Sequence, residues 1–385
     1  MIQYLTMLSY LRNTLTRRNS SENYLPSVNQ SSGRKTSVFV GVSGGVDSSV
    51  SAAILKEKGY DVTGVFIKTY YPPELLCNWR DERLDAVRVC EHLGIPFLEC
   101  DMEAEYKDNV FDYMIESYRA GVTPNPDVFC NKYVKFGGFL KWSLARGADY
   151  VATGHYAQHL RSESHQLGMG KDTNKDQTYF LYQLIQEQLA HALFPIGHLE
   201  KEEVRELARK HGLFTADKKD SQGVCFVGPV DMQHFLRGYI DETPGDVLSE
   251  DGIVIGSHQG SQFLTIGQRK GFEIHPAYRT PNMQKMFIVA KDFGNNTITV
   301  SPNSQVHDPK QVMIRNVSFI NTPLQVGERV QTRIRHRGAL HEAVIKDIKE
   351  DCYVFAFTES HRGVASGQSL VLYRDSICLG GGIVI

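Results

Sequence analysis

Apolar and polar positions in the first half of the chain follow two periods. Ser37-Val-Phe-Val-Gly-Val42 is a short apolar run and predicts a buried strand. From Asp47 to Lys58 the apolar residues Val50, Ala52, Ala53 and Ile54 fall at helical spacing, and Gly59 supplies the stop. Asp61 to Ile67 predicts a second strand. Arg80 to Leu93 predicts a helix with Leu84, Val87 and Leu93 on one side and Gly94 after it. Pro96 to Cys100 and Tyr150 to Thr153 read as two further strands. Strand and helix in alternation predict a parallel sheet with helices on both faces, an α/β architecture. Glu200 to His211 predicts a surface helix with Val204, Leu207, Ala208 and His211 turned inward.

After about residue 215 helical periodicity fades into short segments separated by glycines. Strand-like runs follow at 287–290, 297–300, 312–317, 330–335, 353–357 and 369–373, with turn signals such as Asn295-Asn296 and Gly327-Glu328 between them. This pattern predicts a small β-barrel or sandwich. The expected organisation is a nucleotide-type domain over 36–215, a short connecting domain over 216–283 and a barrel over 284–385. No internal repeat or coiled coil is visible. Residues 1–35 stand apart, with Arg12, Arg17, Arg18, Arg34 and Lys35 against the single acid Glu22. That composition fits a disordered extension and also an Arg- and Ser-rich organelle transit peptide.

Composition narrows the class. The 385 residues, 41% hydrophobic and 22% charged, are globular in character. No apolar run approaches the roughly 18 residues of a membrane helix, so a soluble, membrane-free, cytoplasmic protein is expected, with an organelle as the alternative. The net charge of -2 gives no sign of a nucleic-acid partner, but binding depends on local patches rather than on the average. The seven cysteines form no CxxC pair, which argues against a disulfide framework and for reduced thiols.

The strongest chemical signal is Ser43-Gly-Gly-Val-Asp-Ser-Ser49, between the first strand and the first helix. Glycines admit a phosphate to the backbone, the helix start supplies free N–H groups, and Ser43, Ser48 and Ser49 add hydroxyls. Asp47 would repel phosphate by itself and is the candidate to hold Mg²⁺ together with it. The Gly-Lys-Ser/Thr ending of a Walker loop is missing, so the usual γ-phosphate chemistry is not indicated.

Two cysteines stand out. Cys130 lies in Thr123-Pro-Asn-Pro-Asp-Val-Phe-Cys-Asn-Lys132 and Cys225 in Lys218-Lys-Asp-Ser-Gln-Gly-Val-Cys-Phe-Val-Gly228. Both segments look loop-like, with lysines nearby that favour a thiolate. Cys90, Cys100, Cys352 and Cys378 read as packing residues, and Cys77 carries no support for a role. Metal-ligand spacing is absent around the outstanding pair. Arg333-Ile-Arg-His-Arg337 predicts a basic strand face bearing Arg333, Arg335 and Arg337, and Gln268-Arg-Lys270 is a second basic segment. His165, His191 and His198 read as surface residues without a role.

The loop 43–49 resembles that of N-type ATP pyrophosphatases, which activate a carbonyl oxygen by adenylation. With Thr123 to Phe136, Ala152 to Ala157, Lys175 to Leu181, Lys218 to Gly228, Thr265 to Gly271 and Leu379 to Ile383, the chain resembles the tRNA-specific 2-thiouridylase family from about residue 37 to its end. The resemblance implies a Rossmann-like parallel sheet with this PP-loop, a connecting domain and a C-terminal β-barrel that binds tRNA. It implies ATP-dependent 2-thiolation of the wobble uridine of tRNA, with ATP and Mg²⁺ used and AMP and pyrophosphate released. ATP would be held at Gly41, Val42, Ser43, Gly44, Gly45, Val46, Asp47 and Ser48, with the backbone of Ile67 and Gly154 beside the nucleotide. Asn125, Pro126 and Asp127 would meet the target base, Asp127 also moving a proton. Cys130 would be the nucleophile and Cys225 the persulfide carrier, the two able to close a disulfide. His155, Lys175, Asp176, Gln177, Arg335, His336 and Gln368 would touch the anticodon stem-loop. A sulfur-carrier or cysteine desulfurase protein would supply the persulfide. Ile67 stands where the family commonly has Met, and His336 where it commonly has Tyr. Two other readings compete on the loop alone. One is a pyrophosphatase acting on a small molecule; the other is a nucleotide-gated RNA-binding protein. Both leave the cysteine pair idle.

Overall fold

The computed structural model describes residues 25–26, 34–72, 79–161, 163–219, 232–279, 284–303, 309–359 and 364–385. Cys77, Cys225 and nearly all of the N-terminal extension lie outside these residues.

Five parallel strands form the first sheet in the order β3-β2-β1-β4-β7: β1 Ser37–Gly41, β2 Asp61–Lys68, β3 Phe97–Asp101, β4 Tyr150–Ala152 and β7 Ala192–Leu193. Val38, Phe39 and Val40 of β1 are buried because helices cover both faces. The helix Val46–Glu57 and the helix Trp79–Leu93 match the expected spans to within a residue. From β1 the chain winds outward through β2 and β3, then returns on the other side of β1 through β4 and β7. The crevice beyond the carboxyl ends of β1 and β4 is therefore the switch point where open α/β sheets take ligands.

The segment bearing Cys130 is helical rather than a loop. Pro126 stands at the first helical position, where its missing N–H costs nothing. A short α-turn Pro126–Phe129 runs into the π-helical stretch Cys130–Gly138 and then the helix Phe139–Leu144. Gly138 admits the Met102 side chain, since a Cβ there would stand 2.5 Å from its sulfur, and Phe136 and Phe139 of this stretch are buried.

The middle of the chain forms a second sheet, ordered β10-β9-β8-β12-β11, from β8 Gly245–Leu248, β9 Val254–His258, β10 Phe272–Ile274, β11 Phe287–Asp292 and β12 Thr297–Ser301. This corrects the expected boundary at 283/284. β12 pairs in parallel with β8, and Ile288, Ile298 and Val300 enter one core with Val247, Ile255, Leu264 and Ile274. Strand periodicity alone could not say which core those apolar faces would join.

The last sheet runs β13 Gln311–Phe319, β16 Cys352–Phe357, β15 His341–Lys349, β14 Arg329–Arg333, β17 Ser369–Arg374 and β18 Ile377–Val384. Pairing of β13 with β18 closes it into a barrel, which removes the open edges. A hairpin from the first domain, β5 Ala157–Arg161 and β6 His165–Met169, extends it through β6–β18 pairing at Ile377↔Gly168 and Cys378↔Leu167. This hairpin was not among the expected strands.

The same joint carries a buried ion pair. Arg333 Nη1 lies 2.7 Å from Asp176 Oδ2, with the two side chains 7% and 0% exposed. Asp176 Oδ1 also accepts from Gly170 N and Thr178 N, and the Thr178 hydroxyl bonds the carboxylate. Tyr179 adds its hydroxyl to the carbonyls of Ile334 and Ser369. Arg333→Met leaves Asp176 as an uncompensated buried charge, so a loss of about 3–5 kcal/mol is expected in urea unfolding. The double variant Asp176→Asn/Arg333→Met should lose less than the sum of the single variants, and simple additivity would show the pair to be uncoupled.

Candidate functional site

The loop 42–45 leaves β1 at the switch point. Gly44 has φ +70°, and a Cβ there would stand 2.7 Å from Asp85 Cβ and 2.8 Å from Glu82 O. Gly45 caps the helix Val46–Glu57 without a side-chain hydrogen bond, so that helix opens with no side chain masking its first donors. Ser43 N donates to Ser48 Oγ at 3.2 Å, and the Ser49 hydroxyl donates to Gly45 O at 2.7 Å. Gly154, on the loop after β4, presses against the same helix start. A Cβ on it would meet Ser48 N at 2.7 Å and the Asp47 carbonyl carbon at 2.8 Å. Ile67, at the end of β2, is buried beside Gly41. Gly154 and the loop 42–45 thus lie together at one helix N-terminus, with Ile67 beside Gly41.

Asp47 is more heavily engaged than the sequence indicates. Lys201 Nζ lies 2.9 Å from both carboxylate oxygens, and the Tyr156 hydroxyl donates to Oδ1 at 2.8 Å. Lys201 belongs to the helix Lys201–Lys210, read from sequence as a charged surface element, yet its side chain is only 9% exposed. A signal was available: Lys201, Val204 and Ala208 share one i, i+3, i+7 stripe, and all three are buried. Lys218 was also missed as a structural group. Its Nζ bonds Gly44 O at 3.0 Å and Asp85 Oδ2 at 2.8 Å, which ties the start of the Cys225 segment to the phosphate loop.

A second concavity, about 200 Å³, lies where the first domain meets the barrel. Thr123, Pro124 and Asn125 line it from one domain, with Tyr179 and Phe180. Ile334, Arg335, His336 and Gln368 line it from the barrel. Asn125, expected to meet the base, therefore shares one concavity with Arg335, His336 and Gln368, while Pro126 and Asp127 are not part of its lining. Phe180 and His336 lie with ring centroids 4.6 Å apart. Burial, reinforced by Arg337, pushes His336 down to about 4, so it offers a neutral ring rather than a charge. Cys130 is fully buried just along the chain, and Asp127 is partly buried on the intervening turn.

Four other residues expected to touch RNA lie outside that concavity. The Asp176 side chain is taken up by Arg333. His155 is buried, bonds Thr153 Oγ1 through Nδ1 at 2.7 Å, and is held far below the usual imidazole range by burial and by Lys135. Gln177 accepts from Tyr156 N at 3.0 Å. Lys175 is partly buried. The expected basic strand face at 333–337 does not form. β14 ends at Arg333, the chain turns with Arg337 at φ 62°, and only Arg335 and Arg337 are exposed. His165, His191 and His198 are half-buried rather than superficial. His165 Nδ1 meets His159 Nε2 at 3.0 Å, His191 Nδ1 meets Asp149 O at 2.9 Å, and burial lowers His198 to about 4. Burial raises the thiols of Cys90, Cys100 and Cys378 to about 11, 12 and 12, in keeping with packing roles. Cys352 is half-buried on β16.

Gly154→Ala should weaken ATP binding tenfold or more in calorimetric titration while leaving the circular dichroism spectrum intact. Unchanged affinity would show that the contact with Ser48 is irrelevant. The lowered histidines carry a pH signature. His155, His159, His198 and His336 are neutral when folded and bind protons more readily when unfolded. Their contribution to stability is complete above about 6.5 and is lost as pH falls towards about 4. Urea midpoints should therefore decline steeply between these limits, and less steeply in a His198→Gln variant.

Three family models match consecutive stretches: a tRNA methyl transferase HUP domain over 36–229, a tRNA methyl transferase PRC-barrel domain over 233–302 and an aminomethyltransferase beta-barrel domain over 309–384. The tRNA-specific 2-thiouridylase MnmA of Francisella tularensis subsp. tularensis is 42% identical over 358 residues, 90% of this chain and 99% of that protein. The protein of the same name from subsp. novicida matches to the same extent. Among solved structures, the U34-tRNA thiolase NcsA from Methanococcus maripaludis, described with its [4Fe-4S] cluster, aligns at 18% identity with TM-score 0.35, over 57% of this chain and 66% of its own. A 4-thiouridine synthetase in an RNA complex with bound ATP aligns at 19% identity with TM-score 0.32, over 53% and 50%. With a glycine cradle at the switch point, a PP-loop sheet, a middle domain and a closed barrel in the family's order, the chain belongs to the tRNA-specific 2-thiouridylase family.

Proposed function

We propose that this protein uses ATP to replace the C2 oxygen of a tRNA wobble uridine with sulfur. The observation that carries this reading is the shared concavity, which unites Asn125 with Arg335, His336 and Gln368 from more than 200 residues away. Anticodon bases can leave their stack and lie against aromatic rings, and Phe180 with His336 offers such a surface.

The chemistry begins from a poor electrophile. The uridine C2 oxygen attacks the α-phosphorus of ATP, and pyrophosphate leaves. The oxygen is then part of AMP, a competent leaving group. The terminal sulfur of a persulfide on Cys225 forms a bond to C2. The Cys130 thiolate attacks the Cys225 sulfur, their disulfide closes, and AMP departs with the former oxygen. An external thiol reduces the disulfide, and a sulfur-carrier or desulfurase protein reloads Cys225. Asp127 stands one turn from Cys130 and is suited to move the proton.

For Mg²⁺, no group of three or more His, Cys, Asp or Glu side chains that could hold a metal occurs among the described residues. Mg²⁺ binds through one or two carboxylates together with phosphates, and Asp47 fits that role only jointly with the nucleotide. Bound there, it would neutralise phosphate charge. Lys201 and Tyr156 meanwhile fix the direction of the Asp47 carboxylate. No described helix is long and apolar enough to cross a membrane, and the tRNA substrate fits a cytoplasmic enzyme.

Mass spectrometry of tRNA nucleosides from cells lacking the protein should show loss of 2-thiouridine, and normal levels would sink the proposal. In the purified protein, Cys225→Ser should leave adenylation intact and abolish thiolation. Persistent thiolation would remove Cys225 from the pathway.

A further inference from the structure

The turn Thr265–Gly271 presents two cations that the site described above leaves unused. Arg269 and Lys270 are exposed, and no acidic residue occurs in the sequence from Leu264 to Phe272. Among the described residues neither takes part in an ion pair. The Arg269 guanidinium lies over the Phe287 ring, 4.5 Å from its centroid. Stacking by one face fixes an arginine while its N–H edge stays available for bidentate bonding to an oxyanion.

The turn is already ordered. Gly267 N donates to Ile288 O at 2.7 Å, and Ile288 N to Gln268 O at 2.9 Å. Gln268 closes it from within, through Thr265 N to Oε1 at 3.1 Å and Nε2 to Lys270 O at 2.9 Å. An arginine already held by stacking loses less entropy on binding than a free one.

The turn also adjoins the base-binding segment. Thr265 Oγ1 lies 3.3 Å from Thr123 Oγ1, and Thr123 lines the concavity that also contains Arg335. Lys291 Nζ ties the two chains further, donating to Gly121 O and to Leu264 O at 2.9 Å each.

We infer that Arg269 and Lys270 grip the sugar–phosphate backbone of the same RNA whose base enters the concavity. The middle domain is then an RNA-binding element and not only a connector. Phosphates flank every extruded base, and two cations on the turn whose Thr265 meets Thr123 answer that charge without reading sequence. This assignment depends on the thiolation reading above.

The test is the affinity of the full-length protein for an unmodified tRNA with a wobble uridine, measured by fluorescence anisotropy across a salt series. In Arg269→Gln/Lys270→Gln the slope of log affinity against log salt should fall by about 1.4 to 1.8, from two lost phosphate contacts. ATP affinity should not change. The charge-preserving variant Arg269→Lys/Lys270→Arg should keep the wild-type slope. An unchanged slope in the glutamine variant would overturn the inference, as would an equal loss in the charge-preserving one. A wild-type protein without salt-dependent tRNA affinity would instead overturn the function itself.

Discussion

The site depends on a joint between two domains, and that joint is fixed by the buried pair of Asp176 with Arg333. Dehydrating two charges is expensive, and the attraction between them repays it only when geometry is good and the remaining lone pairs are used. Here Gly170 N, Thr178 N and the Thr178 hydroxyl satisfy Asp176, and Arg333 also lies over the Tyr373 ring. Apolar packing would allow several orientations of a barrel on a sheet. The ion pair and the β6–β18 pairing beside it add directional contacts to that packing. Arg335 and His336 follow Arg333 by two and three residues, and Tyr179 follows Asp176 by three. Fixing the pair therefore fixes the walls of the concavity.

The loop 42–45 is built on the opposite electrostatic plan. The start of the helix Val46–Glu57 offers donors and partial positive charge, while Asp47 introduces a negative charge at the same place. Lys201 and Tyr156 hold that charge in one direction, and Lys218 binds Gly44 O and Asp85. Lysines from two later segments thus close over the first loop. The second of them, Lys218, bonds the Gly44 carbonyl and opens the segment that carries Cys225, so the two segments share an anchor.

Much of this was legible in the chain. The loop Ser43–Ser49 declares itself because its chemistry is local: glycines, hydroxyls and a helix start lie within seven residues. The parallel sheet was legible from the alternation of β1, β2, β3 and β4 with helices, while β7, only two residues long, was not. The helical setting of Cys130 was not, since Thr-Pro-Asn-Pro reads as a turn and π-helical pitch has no simple sequence period. The contribution of β11 and β12 to the middle sheet was also hidden. A strand's alternation shows that it has a buried face but not which core receives it.

By itself the sequence determined the α/β class, the glycine–serine loop at 43–49, the outstanding cysteine segments and the family's order of domains. These are properties of short segments, set by local periodicity, backbone freedom and residue chemistry. The tertiary structure decided which charges face water. Lys201 and Arg333 look like surface residues in the sequence and are buried against Asp47 and Asp176, while Arg269 and Lys270 stay exposed. The physical reason is that the state of a charge depends on partners brought from 150 residues away, and such partners are invisible until the chain has folded.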